Sequence, residues 1–438
     1  MAASTFGLTF LIVTDTTKLV VENGGIYDGF NGTVQQNLCL EGKSDTISSQ
    51  HYYKYNQTAC CKEYTDFNTT DTPPTASYGN GTKCSDDATL TWLDIVLVLD
   101  VCNAMTKVDQ LSATLVTIVQ GLTIGQNSDH TTRIGIITFG TDVTILQQLK
   151  DTTTEDLIID ILFGIKINAN DPGGNMGGAL KQAYNHILSQ RTYRKPLILL
   201  TSAAYNDEGF MDVNATANSI KADGMKIMVI NYAENDLVLT GALKGIASDG
   251  YYYVSSAEDL IPSVLFGFTQ INCYCSATTI QLSLYNEQWL NYTNYADCFL
   301  GVLSPSNPTI ANKYVCKLPG SLVSLTSQAK QDFIIDNFFV KGDPLYGEKK
   351  FSIGLHKSDS DGTWKWWGYN GTEIPYDNFP PMAKPPASND NYGYMLNDYG
   401  FHWALQTGYN TALKYICQSP ACDAANVCKN LKFKIFCV

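Results

Sequence analysis

The rhythm of apolar and polar positions changes along the chain and divides it. Between residues 90 and 272, short and nearly continuous apolar runs alternate with segments of helical period. Leu93–Asp100 (LDIVLVLD), Arg133–Gly140 (RIGIITFG), Pro196–Thr201 (PLILLT) and Lys226–Asn231 (KIMVIN) are runs of the kind made by strands buried on both faces, with Tyr251–Ser255 as a weaker fifth. Leu111, Leu115, Ile118, Val119 and Leu122 fall on one helical face, and Met176, Ala179, Leu180, Ala183, Ile187 and Leu188 on another. Such alternation over ~180 residues predicts an α/β fold, a doubly wound parallel sheet. Ligands of these sheets bind beyond the carboxyl ends of the strands, so the residues that follow the runs are the candidates.

The flanks read differently. Residues 1–89 are rich in Thr, Asn, Gly and Tyr, contain Pro73-Pro74 and show little helical period; they read as a cysteine-containing, glycosylated N-terminal segment of unassigned fold. Residues 273–418 carry short, turn-rich patterns, one helical stretch near Thr326–Asn337 and five of the six tryptophans, which predicts an α+β domain stapled by disulfides. Residues 419–438 form a cysteine-containing tail.

Composition narrows the function classes. With 44% hydrophobic residues in 438, the chain has ample core for several domains and is not largely disordered. A net charge of −13 gives no counterion-release drive toward phosphates, so nucleic acid is not an expected partner. No apolar run approaches the ~20 residues that span a bilayer, and Leu431–Val438, with its lysines and cysteine, does not read as a lipid-anchor signal. Thirteen cysteines crowd at the two ends, interleaved with Asn-x-Ser/Thr acceptors at Asn31, Asn56, Asn68, Asn80, Asn214, Asn291 and Asn370. Together these predict a secreted, extracellular, disulfide-bonded glycoprotein, although Phe6–Val13 has no basic residue before it and makes a weak export signal. Four N-terminal and eight C-terminal cysteines can pair among themselves, which leaves Cys102 as the free thiol. The pairing of Cys39, Cys60, Cys61, Cys84, Cys273, Cys422, Cys428 and Cys437 stays open.

Residues 90–272 resemble a von Willebrand factor A domain. In that family an Asp-x-Ser-x-Ser motif after the first strand, a Thr in a Gly-Gly-Thr loop and an Asp ending the fourth strand hold a magnesium ion. Here the first motif reads Asp100-Val101-Cys102-Asn103-Ala104, Asn175 replaces the threonine, and Ser202 stands in Thr201-Ser202-Ala203 where the second aspartate belongs. Cys102 is a soft ligand and Ala104 has no side-chain oxygen, so no metal is expected; Asp207 or Glu208 would be needed as a rescue. The run Gly173-Gly174-Asn175-Met176-Gly177-Gly178 lacks phosphate-loop spacing and reads as turn glycines. Cys102 has no histidine recognisably paired with it, which favours a buried thiol over a nucleophile.

Residues 273–418 resemble a C-type lectin domain. The carrying pieces are Tyr295-Ala-Asp-Cys298-Phe, Ala311-x4-Cys316 for the first long helix, Gly320–Leu325, Phe351-Ser-Ile-Gly354-Leu355 for the core strand, Trp364-Lys-Trp366, Asn370-Gly371-Thr372 and Tyr415-Ile416-Cys417. The resemblance implies a Cys316–Cys417 bridge and one from Cys298 to Cys275 or Cys273, with Cys275–Cys298 preferred. It also implies calcium positions, but these read Lys384-Pro385-Pro386 and Trp403-Ala404-Leu405. Lys384, Pro386, Ala404 and Leu405 supply no carboxylate, so calcium is not expected either. Trp364 and Trp366 read as core, and Trp367 and Tyr369 as the surface candidates for ligand contact.

The combined order resembles a group of secreted nematode C-type-lectin-like proteins associated with innate immunity. That resemblance implies a secreted, non-enzymatic recognition or interaction protein without cofactors. The expected partners are extracellular proteins or glycoproteins, microbial glycans among them. Calcium-independent carbohydrate binding is the alternative, and a hydrolase the remote one.

Overall fold

The computed structural model describes residues 79–127, 129–151, 154–205, 209–286, 291–397 and 403–428. It also describes the backbone of two strands, β1 (Leu8–Leu11) and β2 (Val20–Asn23), which pair antiparallel with Leu8 opposite Asn23. Cys39, Cys60, Cys61 and Cys437, with Asn31, Asn56 and Asn68, lie outside the described residues, as do Asp207 and Glu208.

The central region is a six-stranded sheet in the order β5-β4-β3-β6-β7-β8. Its strands are β3 (Leu93–Asp100), β4 (Arg133–Phe139), β5 (Val143–Gln147), β6 (Lys195–Ser202), β7 (Lys226–Asn231) and β8 (Tyr252–Val254). All pairings are parallel except β4–β5. Every residue of β3 and β4 is buried, because helices cover both faces. Leu93, Ile95, Leu97 and Leu99 pack under α1 (Val108–Gln120), α2 (Glu155–Gly164) and α6 (Leu260–Asn272). Val96 and Val98 pack under α3 (Met176–Ser189), α4 (Val213–Ala222) and α5 (Leu237–Ile246). Side chains of Thr154, Asp212 and Asp236 cap α2, α4 and α5 by accepting from free backbone N–H groups of the first turn. The sequence reading lacks β5. That strand turns antiparallel at the sheet edge and buries only Gln147, so no apolar run announces it.

The C-terminal region is built on antiparallel strands: β9 (Ile280–Asn286), β10 (Asn291–Ser306), β11 (Ser321–Leu322), β12 (Lys350–Lys357), β13 (Trp364–Trp367), β14 (Glu373–Pro375), β15 (Tyr392–Asn397), β16 (Trp403–Gly408) and β17 (Leu413–Pro420). The main path runs β14-β13-β12-β17-β10-β9; β11 joins β17, and β15 pairs with β12 and β16. One contact, Ser352 opposite Tyr415, is parallel. Phe299, Phe351, Ile353, Leu355, Trp366, Met395, Leu405 and Ile416 share a core with Ile334 and Phe338 of α8 (Gln328–Phe338). Where the sequence reading places a first long helix, the chain makes only α7 (Pro308–Ile310) and one π-helical turn (Ala311–Val315). At that point Cys316 is bonded to Cys417 and the Asn312 side chain accepts from Leu322 N (2.8 Å), which turns the chain back to β17.

Among the described residues the disulfides are Cys84–Cys273, Cys275–Cys298, Cys316–Cys417 and Cys422–Cys428. The first joins an N-terminal cysteine, whose pairing the sequence leaves open, to the C-terminal group. Residues 79–85, counted above with the N-terminal segment, lie on the C-terminal sheet: Ala296 N donates to Thr82 O (2.7 Å), and Lys83 bridges Tyr295. The two regions meet at the amino ends of the parallel strands. Trp92, just before β3, donates Nε1–H to Asp423 O (2.8 Å) and N–H to Asn272 Oδ1 (2.9 Å). His130, before β4, has Nδ1 2.9 Å from Ala424 O, and Lys195 at the start of β6 sits over the Tyr274 ring. Ser85 N donates to Asp423 Oδ2 (2.9 Å).

Candidate functional site

Because that seam uses the amino ends, the loops at the carboxyl ends of β3, β4, β6 and β7 form the opposite end of the sheet, where a doubly wound fold places its ligand site. Asp100 closes β3 and is 1% exposed. Its Oδ1 accepts from Cys102 N (3.0 Å) and its Oδ2 from Ala203 N (3.1 Å). Ser202 Oγ lies 2.9 Å from Asp100 Oδ2 and 2.7 Å from Ala204 O, with one proton to share between them. Cys102 is free and buried. Burial first, and the Asp100 charge second, push its thiol up to about 12, so it stays protonated at neutral pH.

Asn175 directs Nδ2–H at Thr141 O (2.9 Å), and Ala104 contributes a methyl group. The glycines beside Asn175 serve geometry: Gly173 and Gly174 have φ of +76° and +114°, and a Cβ on Gly173 would come 2.7 Å from Cys102 Cβ. Two residues absent from the sequence reading complete the arrangement. Asp171 accepts from Thr141 Oγ1 (2.6 Å), Thr141 N (3.0 Å) and Gly173 N (2.8 Å), and the Thr141 hydroxyl above all holds its carboxyl below the usual range. The available signal was position, since Thr141 lies two residues past the end of β4 and Asp171 opens the turn into α3.

A magnesium ion needs a near-octahedral oxygen set. Here the five positions of the resemblance offer one carboxylate ringed by N–H donors, one hydroxyl, a protonated thiol, a methyl and an amide turned to a carbonyl. These residues do not fit the ion. Among the described residues there is no group of three His, Cys, Asp or Glu side chains able to hold a metal.

The loops around Asp100 carry exposed apolar side chains instead. Leu237 and Val238, in the first turn of α5 after β7, are 82% and 83% exposed, and Met211 before α4 is 48% exposed. Met211 also lines a groove of about 320 Å³ between α3 and α4, with Lys181, Tyr184 and Ile220.

In the C-terminal region Lys384 and Pro386 are exposed, Ala404 is half-buried and Leu405 is core, opposite Met395. Tyr369 corrects the surface expectation. It is buried, and its hydroxyl donates to Asp297 Oδ1 (2.5 Å), a carboxylate that also takes Thr82 N (2.9 Å) and faces Lys330 Nζ (3.4 Å). The cavity beside this cluster holds about 20 Å³, room for one water and no organic ligand. Trp367 is half-buried, and His356 stacks on its ring with centroids 4.2 Å apart and planes 14° apart. The ring offers at most its other face to a ligand. Asn80, Asn214 and Asn370 are exposed, whereas Asn291 presses its amide onto Gly250, where an added Cβ would lie 1.7 Å from Nδ2.

Residues 94–264 match the von Willebrand factor type A domain, and the chain therefore carries one. Over 384 residues it is 25% identical to C-type lectin domain-containing protein 160 of Caenorhabditis elegans, a match covering 82% of this chain and 58% of that protein. Among solved structures, the chain is similar to proximal thread matrix protein 1 of the mussel byssus with a zinc occupied MIDAS motif, at TM-score 0.37 and 17% identity over 42% of this chain and 47% of that one. BatB from Bacteroides thetaiotaomicron gives TM-score 0.33 and 17% identity over 40% and 96%. The chain thus spans little more than half the length of the curated relative and about half that of the mussel protein.

Proposed function

We propose that this chain is a secreted, non-enzymatic recognition protein in which a von Willebrand A-like unit (90–272) is followed by a C-type lectin-like unit (273–418) and a short cysteine-containing tail. It engages an extracellular protein or glycoprotein through the loops at the carboxyl end of the A-type sheet and needs no divalent ion to do so. A role in innate immunity or host–microbe contact is part of this proposal. The observation that carries the reading is the pairing of two features on one end of the sheet: an Asp100 carboxylate already occupied by backbone donors, and Leu237 and Val238 left in solvent. Exposed apolar loop residues rimmed by polar ones are a usual feature of contact surfaces. The carbohydrate alternative has less support, because Tyr369 is internal and His356 takes one face of Trp367.

The test is retention of the purified chain on immobilised extracellular matrix and microbial surface fractions, in EDTA, in magnesium and in calcium. Retention in EDTA that is lost in Leu237→Asp/Val238→Asp supports the reading. Retention only with magnesium or calcium, or retention abolished by Trp367→Ala but not by the loop variant, overturns it.

A further inference from the structure

At the edge of the A-type sheet, β5 has one neighbour, β4, and their register slips between Ile145 and Gln147. Ile145 and Leu146 are exposed and Gln147 alone of the strand is buried, so packing holds β5 weakly. The segment that leaves the strand is tied down instead by side chains from the end of α3 and the loop after α1. Leu149 N donates to His186 Nε2 (3.0 Å), Lys150 N donates to Gln190 Oε1 (2.7 Å), and Gln126 Nε2 donates to Leu149 O and Asp151 O (both 2.8 Å). His186 lies in the last turn of α3 and is 5% exposed. Because its Nε2 accepts, the imidazole is neutral and carries its proton on Nδ1. Burial, the largest cause, lowers its pKa; Asp151 opposes that, while Lys150 and Arg133 act with burial, and Arg133 is itself engaged by Asp94.

We propose that His186 is an acid-sensitive latch: while neutral it accepts the Leu149 N–H and holds the end of β5, and once protonated on Nε2 it has no lone pair to offer and releases that end. Of the ties named above, only this one is cancelled by a proton between about pH 7 and 5, since the others end on amide or backbone oxygens. Protonation would also set two donors, Leu149 N–H and Nε2–H, against each other in a buried place. The release travels along the strand. β5 starts at Val143, directly after Thr141 and Asp142, and Thr141 holds Asp171 through its N–H (3.0 Å) and hydroxyl (2.6 Å) at the carboxyl end of the sheet. Acidification therefore loosens the loop that bears Thr141. Only that consequence bears on the contact face proposed above; the latch itself stands on His186 and Leu149, whatever the face binds.

Hydrogen exchange of the full chain tests this from about pH 7.5 to 5, read as protection factors corrected for the intrinsic pH dependence of exchange. Wild type is compared with His186→Gln, whose amide oxygen can accept and does not titrate. Because the closed form keeps the imidazole neutral, the open form binds the extra proton; protection is constant above the ordinary histidine value of about 6.5 and falls below it. In wild type, protection at Leu149 N and along β5 should fall by up to about tenfold per pH unit below about 6.5, level off where the closed imidazole titrates, and be followed by Thr141 N. In His186→Gln that pH dependence should vanish. An equal fall in His186→Gln, or a wild-type Leu149 amide with flat protection across the range, overturns the proposal. If the variant does not accumulate folded, imidazole nitrogen NMR of the wild type decides. Nε2 of His186 unprotonated at pH 7, and gaining its proton in step with the loss at Leu149, supports the latch. Nε2 protonated at pH 7, or titrating without change at Leu149, overturns it.

Discussion

Asp100 separates two accounts of the A-type domain, because a metal ligand and a hydrogen-bond acceptor fail differently when removed. In Asp100→Ala the amides of Cys102 and Ala203 lose acceptors at 3.0 and 3.1 Å, in a site where Asp100 itself is 1% exposed. Charge-assisted hydrogen bonds of this kind contribute about 1.5–3 kcal/mol each, and the Ser202 hydroxyl can retain Ala204 O, so the loss should be about 3 kcal/mol or somewhat more. For a domain of this size that is a fall of about 6–12 °C in the unfolding midpoint. Asp100→Asn keeps one acceptor oxygen and should lose less. The same fall is expected in EDTA and in magnesium, measured by calorimetry or circular dichroism. Removing the Asp100 charge should also bring the Cys102 thiol below about 12, while burial, the larger cause, keeps it inert to thiol reagents in the folded protein. A wild-type midpoint that rises with magnesium, or an Asp100→Ala deficit seen only with magnesium present, would refute the hydrogen-bond account.

Three further outcomes are expected. Cys84→Ser with Cys273→Ser removes a bridge across 189 residues and should cost about 2–5 kcal/mol, with hydrogen exchange rising first at Ala296 N, which donates to Thr82 O. Glu373 is lowered from 4.5 to about 2 by His356 first and by Lys365 and Ser358; a depressed carboxylate stabilises fully above its unfolded value and loses that contribution as pH falls through the folded one. Urea midpoints should therefore drop between about pH 4.5 and 2, with a shallower drop in Glu373→Gln. Glycopeptide mapping of protein from a eukaryotic secretory host should find Asn80, Asn214 and Asn370 occupied and Asn291 largely bare, since its amide is pressed against Gly250; equal occupancy at Asn291 would contradict the packing seen there.

What the sequence made legible follows from what leaves a periodic trace. β3, β4, β6 and β7 were readable because burial on both faces turns a parallel strand into an unbroken apolar run. β5 was not, since an edge strand with one buried residue has no such run. At the candidate site, the replaced positions Cys102, Ala104, Asn175 and Ser202 could be read directly, but not the use made of Asp100 by the Cys102 and Ala203 amides, nor the Asp171–Thr141 pair 30 residues apart. Tyr369 was misplaced for a related reason. Its neighbours Asn370-Gly371 mark a turn and suggest exposure, whereas its hydroxyl finds Asp297 across 72 residues. Cysteine pairing is likewise a property of the fold, and nothing local in Cys84 points to Cys273.

The seam between the two regions occupies the amino ends of the parallel strands. It is assembled from pieces distant in sequence, namely residues 79–92, the end of α6, Tyr274 and residues 421–424, and all of them gather at the amino ends of β3, β4 and β6. Three contacts cross it: the buried Trp92 indole bonded to Asp423 O, His130 Nδ1 near Ala424 O, and Lys195 Nζ over the Tyr274 ring. It also places the loops of Asp100, Asp171 and Leu237 at the far end of the sheet, where the C-terminal region does not cover them. Internal donors hold the Asp100 carboxylate, so the geometry of the loops around it should persist under chelation.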